Sequence, residues 1–475
     1  MSALDRDAAL DHRNDGRQAA FERARTPKPP VDLRAYVTRA REAPGPAAIG
    51  QVHEVVGQLV EVVGVRAATG DRLEVRLPDR NLALQVLGFR SGRLLAAPLG
   101  STAGVQPGAM VVRSPDGATA DVGDALLGRV VDAFGAPLDG RPAPLCTHRA
   151  PLHRAPPPPF ARKPIAEALE TGVRSLDGLL PLGRGQRVGL FAGTGVGKST
   201  LLGMLCRRAV ADVVVVGLIG ERGREVGDFV RGSLGEAGLA RSVVVAATSD
   251  QPPLIRAQGA LRATAIAEHF RDRGANVLLV MDSVTRFAMA LREASLAAGE
   301  PPVTKGYTPS VFAALPSLLE RAGNTAQGGS ITAFYTVLVE GDDLNDPIAD
   351  AVRGILDGHI VLARALAERG LFPAVDVLRS VSRVFNEITG VQHRRAATVV
   401  RDLLGAHRDA SDLLKIGAYV TGSDARIDAA CAAMPAIEAL LRQSLEESAG
   451  RDVTIRAVER IAELHAPRAG GHARR

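Results

Sequence analysis

The stretch QRVGLFAGTGVGKSTLLGMLCRRA, Gln186 to Ala209, decides the fold. Gln186 to Phe191 has the length and apolar character of a buried strand, and the run after Thr200 has the composition of a helix. Between them, Gly193, Gly195 and Gly197 let the backbone turn its amides inward at a helix N-terminus, where partial positive charge favours phosphate. Strand, glycine loop, Gly-Lys-Ser and helix in that order make a phosphate-binding loop. Its expected nucleotide contacts are Gly193, Thr194, Gly195, Val196, Gly197, Lys198, Ser199 and Thr200. Lys198 is placed to neutralise the β- and γ-phosphates of a nucleotide, and the Ser199 hydroxyl to bind Mg²⁺. One letter departs from the pattern, because the position of the first glycine holds Ala192. It falls at the strand end, where a methyl group is tolerated. The competing reading, a glycine-rich turn with a stray lysine, leaves the strand, the helix and the Gly-Lys-Ser run unexplained.

A Mg²⁺-nucleotide site also needs a carboxylate at the end of a hydrophobic strand. NVLLVMDS puts Asp282 in that position, as a metal ligand alongside Ser199. An acidic residue after an apolar strand is commonplace alone and gains meaning only beside the loop. A further buried strand, in VVVVGLIGERGREVGDF, ends in Glu221, Arg222, Arg224 and Glu225. Charges at the C-terminal end of such a strand face the ligand crevice of a parallel sheet, although GERGRE also fits a solvated turn. A carboxylate there can polarise the attacking water as general base.

A chain of 475 residues, 46% hydrophobic, can bury a large core, and its length corresponds to roughly three domains. The net charge of +6 would suit a polyanionic partner, but acidic residues are interleaved with the basic ones. A solvated, arginine-rich surface and no nucleic-acid partner are therefore expected. No apolar stretch approaches the ~20 residues that span a bilayer, and the opening MSALDRDAALDHRNDGRQ lacks a signal-peptide core. The expected location is the cytoplasm. Cys146, Cys206 and Cys431 never fall in a C-x-x-C spacing, so neither a disulfide framework nor a zinc site is indicated, and buried thiols are expected.

Residues up to about Pro44 read as a polar arm broken by Pro27, Pro29 and Pro30, with one short helix near Val31 to Arg41. From Gly50 to Val112, short β-rich runs between Gly and Pro turn signals predict a small barrel or sandwich, with Phe89 its only aromatic. After the Pro-rich connector Arg149 to Phe160, the runs VVVVGLIG, SVVVAATS, NVLLVMDS and SITAFYTVLV alternate with helix-length segments. That alternation predicts an α/β domain with a largely parallel sheet covered on both faces. Beyond Phe385 the pattern turns helical.

Taken together, IGERGREV, LLVMDSVTRFAMALRE, GEPPVTKGYTPSVFAALPSLLERAG, GSITAFYTVLVEGDDLNDPIADAVRGILDGHIVL and FPAVDVLRSVSRV closely resemble the flagellar and type III secretion export ATPases, relatives of the rotary ATP synthase catalytic subunits. The likeness runs from about Gly50 to Glu447, and alanine is the usual occupant of the loop's first position there. It implies an α/β fold with a RecA-like P-loop NTPase core, an N-terminal β-barrel and a C-terminal helical domain. The implied division is an arm over 1–45, a barrel over 46–117, the ATPase domain over 118–386 and the helical domain over 387–475. It further implies a homohexamer with a nucleotide at each subunit boundary. Glu221 matches the catalytic glutamate, Arg222 the neighbouring arginine, Lys198 and Ser199 the phosphate and Mg²⁺ contacts, and Asp282 the Mg²⁺-water carboxylate. Arg383, in SVSRV, matches the arginine finger that reaches the adjacent subunit's γ-phosphate, and Phe372 the aromatic that packs on adenine. Thr308, where proline is common, Gly328-Gly329 and the long arm are mild departures.

The implied activity is ATP hydrolysis that energises protein export, releasing chaperones and unfolding substrates at the base of a flagellum or injectisome. The implied partners are a regulatory stator protein at the arm, a central stalk protein, export-gate membrane proteins and chaperone-substrate complexes, at the inner face of the cell membrane. IGAYVTGSDARID resembles the flagellar members more than the injectisome members. Two alternatives share the ATPase fold. A hexameric RNA translocase of the transcription-terminator type should carry aromatic stacking platforms on its barrel, and a rotary synthase subunit should require a second homologous chain.

Overall fold

The computed structural model describes Leu33 and residues 49–114, 118–326, 328–339 and 346–465. Apart from Leu33, the arm read over 1–45 with its short helix lies outside the described residues, as does residue 117, the expected end of the barrel. From Ala48 onward the chain forms one compact unit.

Six strands, β1 (Gly50–Val56), β2 (Leu59–Val63), β3 (Arg72–Arg76), β4 (Asn81–Arg90), β5 (Arg93–Pro98) and β6 (Met110–Arg113), close into a barrel in the order β1-β2-β5-β4-β3-β6. Alternation explains the closure. Val60, Val62, Leu73, Val75, Leu84 and Val86 point inward and are almost fully buried, while the intervening residues are polar or half-exposed. Closing the sheet removes the exposed edges a flat sheet of these short strands would leave. Phe89 is exposed near the end of β4, a lone aromatic on a surface where a base-stacking protein would present several.

The central sheet consists of β7 (Arg129–Asp132), β8 (Arg187–Ala192), β9 (Val213–Ile219), β10 (Ser242–Ala247), β11 (Asn276–Asp282), β12 (Ser330–Leu338), β13 (Gly358–Leu362) and β14 (Val381–Ser382). Their spatial order is β14-β13-β8-β12-β11-β9-β10-β7, and every neighbouring pair is parallel except β13 with β14. A short antiparallel piece, Gly323–Asn324, adds to β12. All seven residues of β9 are buried, as a strand covered by helices on both faces requires. The four valine- and leucine-rich runs predicted as parallel strands lie side by side here. The edge strand β7 and the short β13, which lies next to the opposite edge strand β14, carried no comparable apolar signal.

Three helices, Val391–Asp409, Ala425–Leu441 and Arg451–His465, pack together after the sheet ends. Among the described residues, no helix is long and apolar enough to cross a membrane. The expectation of three buried thiols needs correction, because Cys206 is buried whereas Cys146, outside any helix or strand, and Cys431, on the helix Ala425–Leu441, are only half-buried. Two of the three sequence departures have local reasons. A Cβ on Gly329 would come within 1.9 Å of the Ala275 carbonyl oxygen, so no other residue fits that turn. Thr308 is fully buried and shares hydrogen bonds with the Ser295 and Ser310 hydroxyls, which satisfy a group proline would lack.

The helix Pro253–Asp272 crosses the sheet with charged residues on its buried side. Glu268 there receives Nε and Nη2 of Arg321 at 3.0 and 2.6 Å, and Arg321 Nη1 also donates to the Leu152 carbonyl, with both side chains 2% exposed. Removing the carboxylate leaves a buried guanidinium without its counter-charge, a change that costs about 3 to 5 kcal/mol. Glu268→Ala is therefore expected to lower the urea midpoint by that equivalent at unchanged slope; an unshifted midpoint would show that the pair carries no weight.

Candidate active site

The phosphate loop leaves β8 at Ala192, which is fully buried and paired in register with Leu338 and Leu362 on the flanking strands. Its carbonyl accepts a hydrogen bond from the Val339 amide at 3.2 Å. The left-handed positions of the loop are Gly195 and Gly197, with φ of 77° and 90°. Ala192 is ordinary strand backbone and needs no glycine, which is why the departure from the motif is harmless. Gly197 caps the helix Lys198–Arg208, and Thr194, Gly195, Ser199 and Thr200 stand exposed around its N-terminus while Val196 is buried beneath.

Lys198 Nζ donates to Asp282 Oδ1 at 2.6 Å and to Glu221 Oε1 at 3.4 Å. The three side chains are 13%, 4% and 14% exposed, so one ammonium answers two carboxylates in a largely dry site. Asp282 ends β11 and also accepts the Thr336 hydroxyl of β12 on Oδ1, at 2.7 Å. Glu221 follows Gly220, whose φ of 74° turns the chain off β9. Its carbonyl accepts the Ser249 amide, which fixes the backbone under the carboxyl group.

Burial, then the nearby Asp282 charge, pushes the Glu221 carboxyl up to about 7, against the pull of Lys198. Glu225, hydrogen-bonded to Glu221, is moved below its usual range because Glu221 donates to it. Burial opposes the charge on Lys198, but Asp282 and Glu221 outweigh it and hold the ammonium above its ordinary value.

Phe372 is 40% exposed and stands on the loop, its ring carbons 3.3 to 3.4 Å from where a Cβ on Gly197 would lie. Arg222 is not drawn into the cluster; its side chain is 82% exposed and lies 3.7 Å from Glu225. Arg383 is elsewhere. It follows β14, its amide bonds the Asp357 carbonyl, and its Nη2 donates to the Arg353 carbonyl at 3.3 Å. Asp357 also receives the Arg187 guanidinium at the start of β8, so Arg383 sits at the N-terminal ends of the parallel strands. The loop, Glu221 and Asp282 are at the C-terminal ends, about 17 Å away along a six-residue strand. Arg383 cannot serve the loop of its own chain.

Three neighbours of the cluster were not predicted. Thr336 touches Asp282, Arg364 Nη2 donates to the Thr194 carbonyl at 3.2 Å, and Arg286 packs against Gly220 with its Nε buried and unpaired among the described residues. Arg286 lies four residues past Asp282, close enough in sequence to have been flagged. Thr336 and Arg364 had no local signal. The donor set fits Mg²⁺, since the exposed hydroxyl of Ser199 and the carboxylate of Asp282 are hard oxygen donors.

This fold and this cluster define a P-loop ATPase of the ATP synthase α/β type. The model of the "ATP synthase alpha/beta family, nucleotide-binding domain" matches residues 172–382, and that of the "T3SS EscN ATPase C-terminal domain" matches 389–460. The chain is 50% identical over 412 residues to the flagellum-specific ATP synthase of Bacillus subtilis (strain 168), covering 86% of this chain and 94% of that protein. It is 48% identical over 416 residues to the type 3 secretion system ATPase of Xanthomonas euvesicatoria, covering 87% and 94%. The assembled ATPase EscN from the enteropathogenic E. coli type III secretion system superposes with a TM-score of 0.82 at 43% identity, covering 87% of this chain and 99% of EscN. In complex with its central stalk EscO, EscN gives 0.81 at 42%, with the same coverage. The chain belongs to the flagellar and type III secretion ATPase family and is an ATP-hydrolysing enzyme.

The raised Glu221 value has a consequence for stability. The folded protein holds this proton between the ordinary carboxylate value near 4.5 and about 7. The unfolded chain releases it, so this contribution is present below 4.5 and is lost as pH rises through 7. Glu221→Gln imitates the protonated form. The variant is expected to match wild type in melting temperature at pH 5 and to exceed it at pH 8, both without nucleotide; equal pH dependence in the two proteins would contradict the assignment.

Proposed function

We propose that this ATPase works as a homohexamer that energises protein export through a flagellar type III apparatus, releasing chaperones and unfolding substrates. The observation that carries the reading is the split between the Lys198, Glu221 and Asp282 cluster at one end of the sheet and Arg383 at the other. A chain that holds every catalytic group but cannot bring them together in itself is built for a ring of identical subunits, in which a head-to-tail interface repeats.

In the proposed site, Lys198 meets the β- and γ-phosphates and Phe372 supports adenine beside Gly197. Ser199 and Asp282 would hold Mg²⁺, which when bound neutralises phosphate oxygens. A water attacks the γ-phosphorus, its proton passes to the Glu221 carboxylate, and the bond to the β-phosphate oxygen breaks. A carboxyl poised near 7 is suited to accept that proton at neutral pH. Arg383 of the neighbour stabilises the transferring phosphoryl group, a contribution generally worth about 10³ to 10⁵ in rate. Arg222, exposed beside the cluster, is free to contact that same boundary.

The flagellar assignment rests on the likeness of Ile416 to Asp428 to flagellar members, since identities of 50% and 48% to the two kinds of relative do not separate them. The arm over 1–45 is assigned to a stator protein and the ring's interior to a central stalk, as EscO is for EscN. Export-gate proteins at the inner face of the membrane and chaperone-substrate complexes complete the set.

Two measurements test the reading. Glu221→Gln should bind ATP with little change while hydrolysis collapses; near-normal turnover would remove Glu221 as the base. Specific ATPase activity of the wild type should rise cooperatively with protein concentration, and Arg383→Ala should lower the plateau by about 10³-fold or more. Activity independent of concentration in both proteins would rule out a shared site.

A further inference from the structure

A cavity of about 510 Å³ lies between the barrel and the helices of the ATPase sheet, away from the phosphate loop. Most of its wall is apolar, with Leu254, Phe287, Leu291 and Leu318 on the helix side. Two polar side chains face it without partners that explain them. Gln258, in the helix Pro253–Asp272, is 4% exposed, and both its amide nitrogen and its amide oxygen lack a hydrogen bond among the described residues. A buried amide left unpaired is costly, and such groups are rare unless something else binds them.

The second is Arg72 of β3. It reaches the cavity from the barrel, with its guanidinium carbon 5.8 Å over the Phe134 ring and no carboxylate within ion-pair distance among the described residues. The other arginines of the wall are already answered, Arg154 by Asp272 and Arg321 by Glu268. Among the described residues, no Asp or Glu lines the space. Burial together with Arg321 and Arg72 pushes the nearby His153 imidazole below its ordinary value, as expected where positive charge is in excess.

We propose that this cavity is a binding site for an amphipathic monoanion, a carboxylate on an apolar chain or ring, with the carboxylate against Arg72 and the Gln258 amide. The volume falls within the range of small-molecule sites, which combine an apolar lining with a few convergent polar groups. A guanidinium fork matches a carboxylate in two bonds, and the Gln258 nitrogen supplies a third donor. The apolar body then lies on the leucines and Phe287. Among the residues lining the cavity, none belongs to the phosphate loop.

Calorimetric titration of the full chain with decanoate, and with 1-decanol as the uncharged comparison, tests this. Decanoate is expected to bind saturably at one site per chain. Arg72→Gln should weaken decanoate by about tenfold or more while leaving decanol unchanged. Ala314→Phe, which puts a ring into the cavity, should abolish binding of both, and ATPase activity of the two variants should remain as in wild type. Absence of saturable decanoate binding, equal loss of decanoate and decanol in Arg72→Gln, or decanoate binding undiminished by Ala314→Phe would each overturn the proposal.

Discussion

One ammonium set between two carboxylates is the constraint on which the rest depends. Lys198 lies close to both Asp282 and Glu221 in a site that is nearly dry, so the three groups together carry more negative than positive charge. Low dielectric makes that excess expensive, and the least costly response is for one carboxyl to keep its proton. Thr336 donates to Asp282 and so fixes the position of that carboxylate beside Lys198. Glu221 shares its proton with Glu225 and is left near neutrality. The same imbalance leaves the Glu221 carboxyl near 7, a value suited to a general base at neutral pH.

The parallel sheet is what makes such a cluster possible. Because β8, β9, β11 and β12 run in one direction, their C-terminal ends bring residues from four separate stretches of chain to one edge. The loop contributes Lys198, the turn after β9 Glu221, β11 Asp282 and β12 Thr336. The reversal at β14 does the opposite and carries Arg383 to the far edge. A single antiparallel strand thus separates Arg383 from the phosphate loop of its own chain.

Legibility in the sequence followed locality. The loop could be read because its glycines, lysine and helix are contiguous, and Asp282 because it ends a strand that is apolar throughout. The stacking of Phe372 on Gly197 and the bond from Thr336 to Asp282 join residues far apart, and no periodicity or spacing encodes them. Phe372 was named through family likeness; Thr336 was not named at all. The barrel was visible as alternating short strands, but its closure depends on β3 pairing with β6, a long-range contact. Cys146 and Cys431 were misjudged for the opposite reason, since composition says what a thiol prefers and not how well its neighbours cover it.

The central claim is that each site is made by two chains, and mixing two inactive proteins tests it most directly. Glu221→Gln keeps Arg383 but lacks the base, and Arg383→Ala keeps the base but lacks the finger. Assembled from equal amounts of the two, a ring with heterologous interfaces would place an intact Glu221 opposite an intact Arg383 at about a quarter of its boundaries. The account predicts that ATPase activity returns to about that fraction of wild type on mixing. A mixture as inactive as its components would mean that both groups must belong to the same chain, and would contradict it.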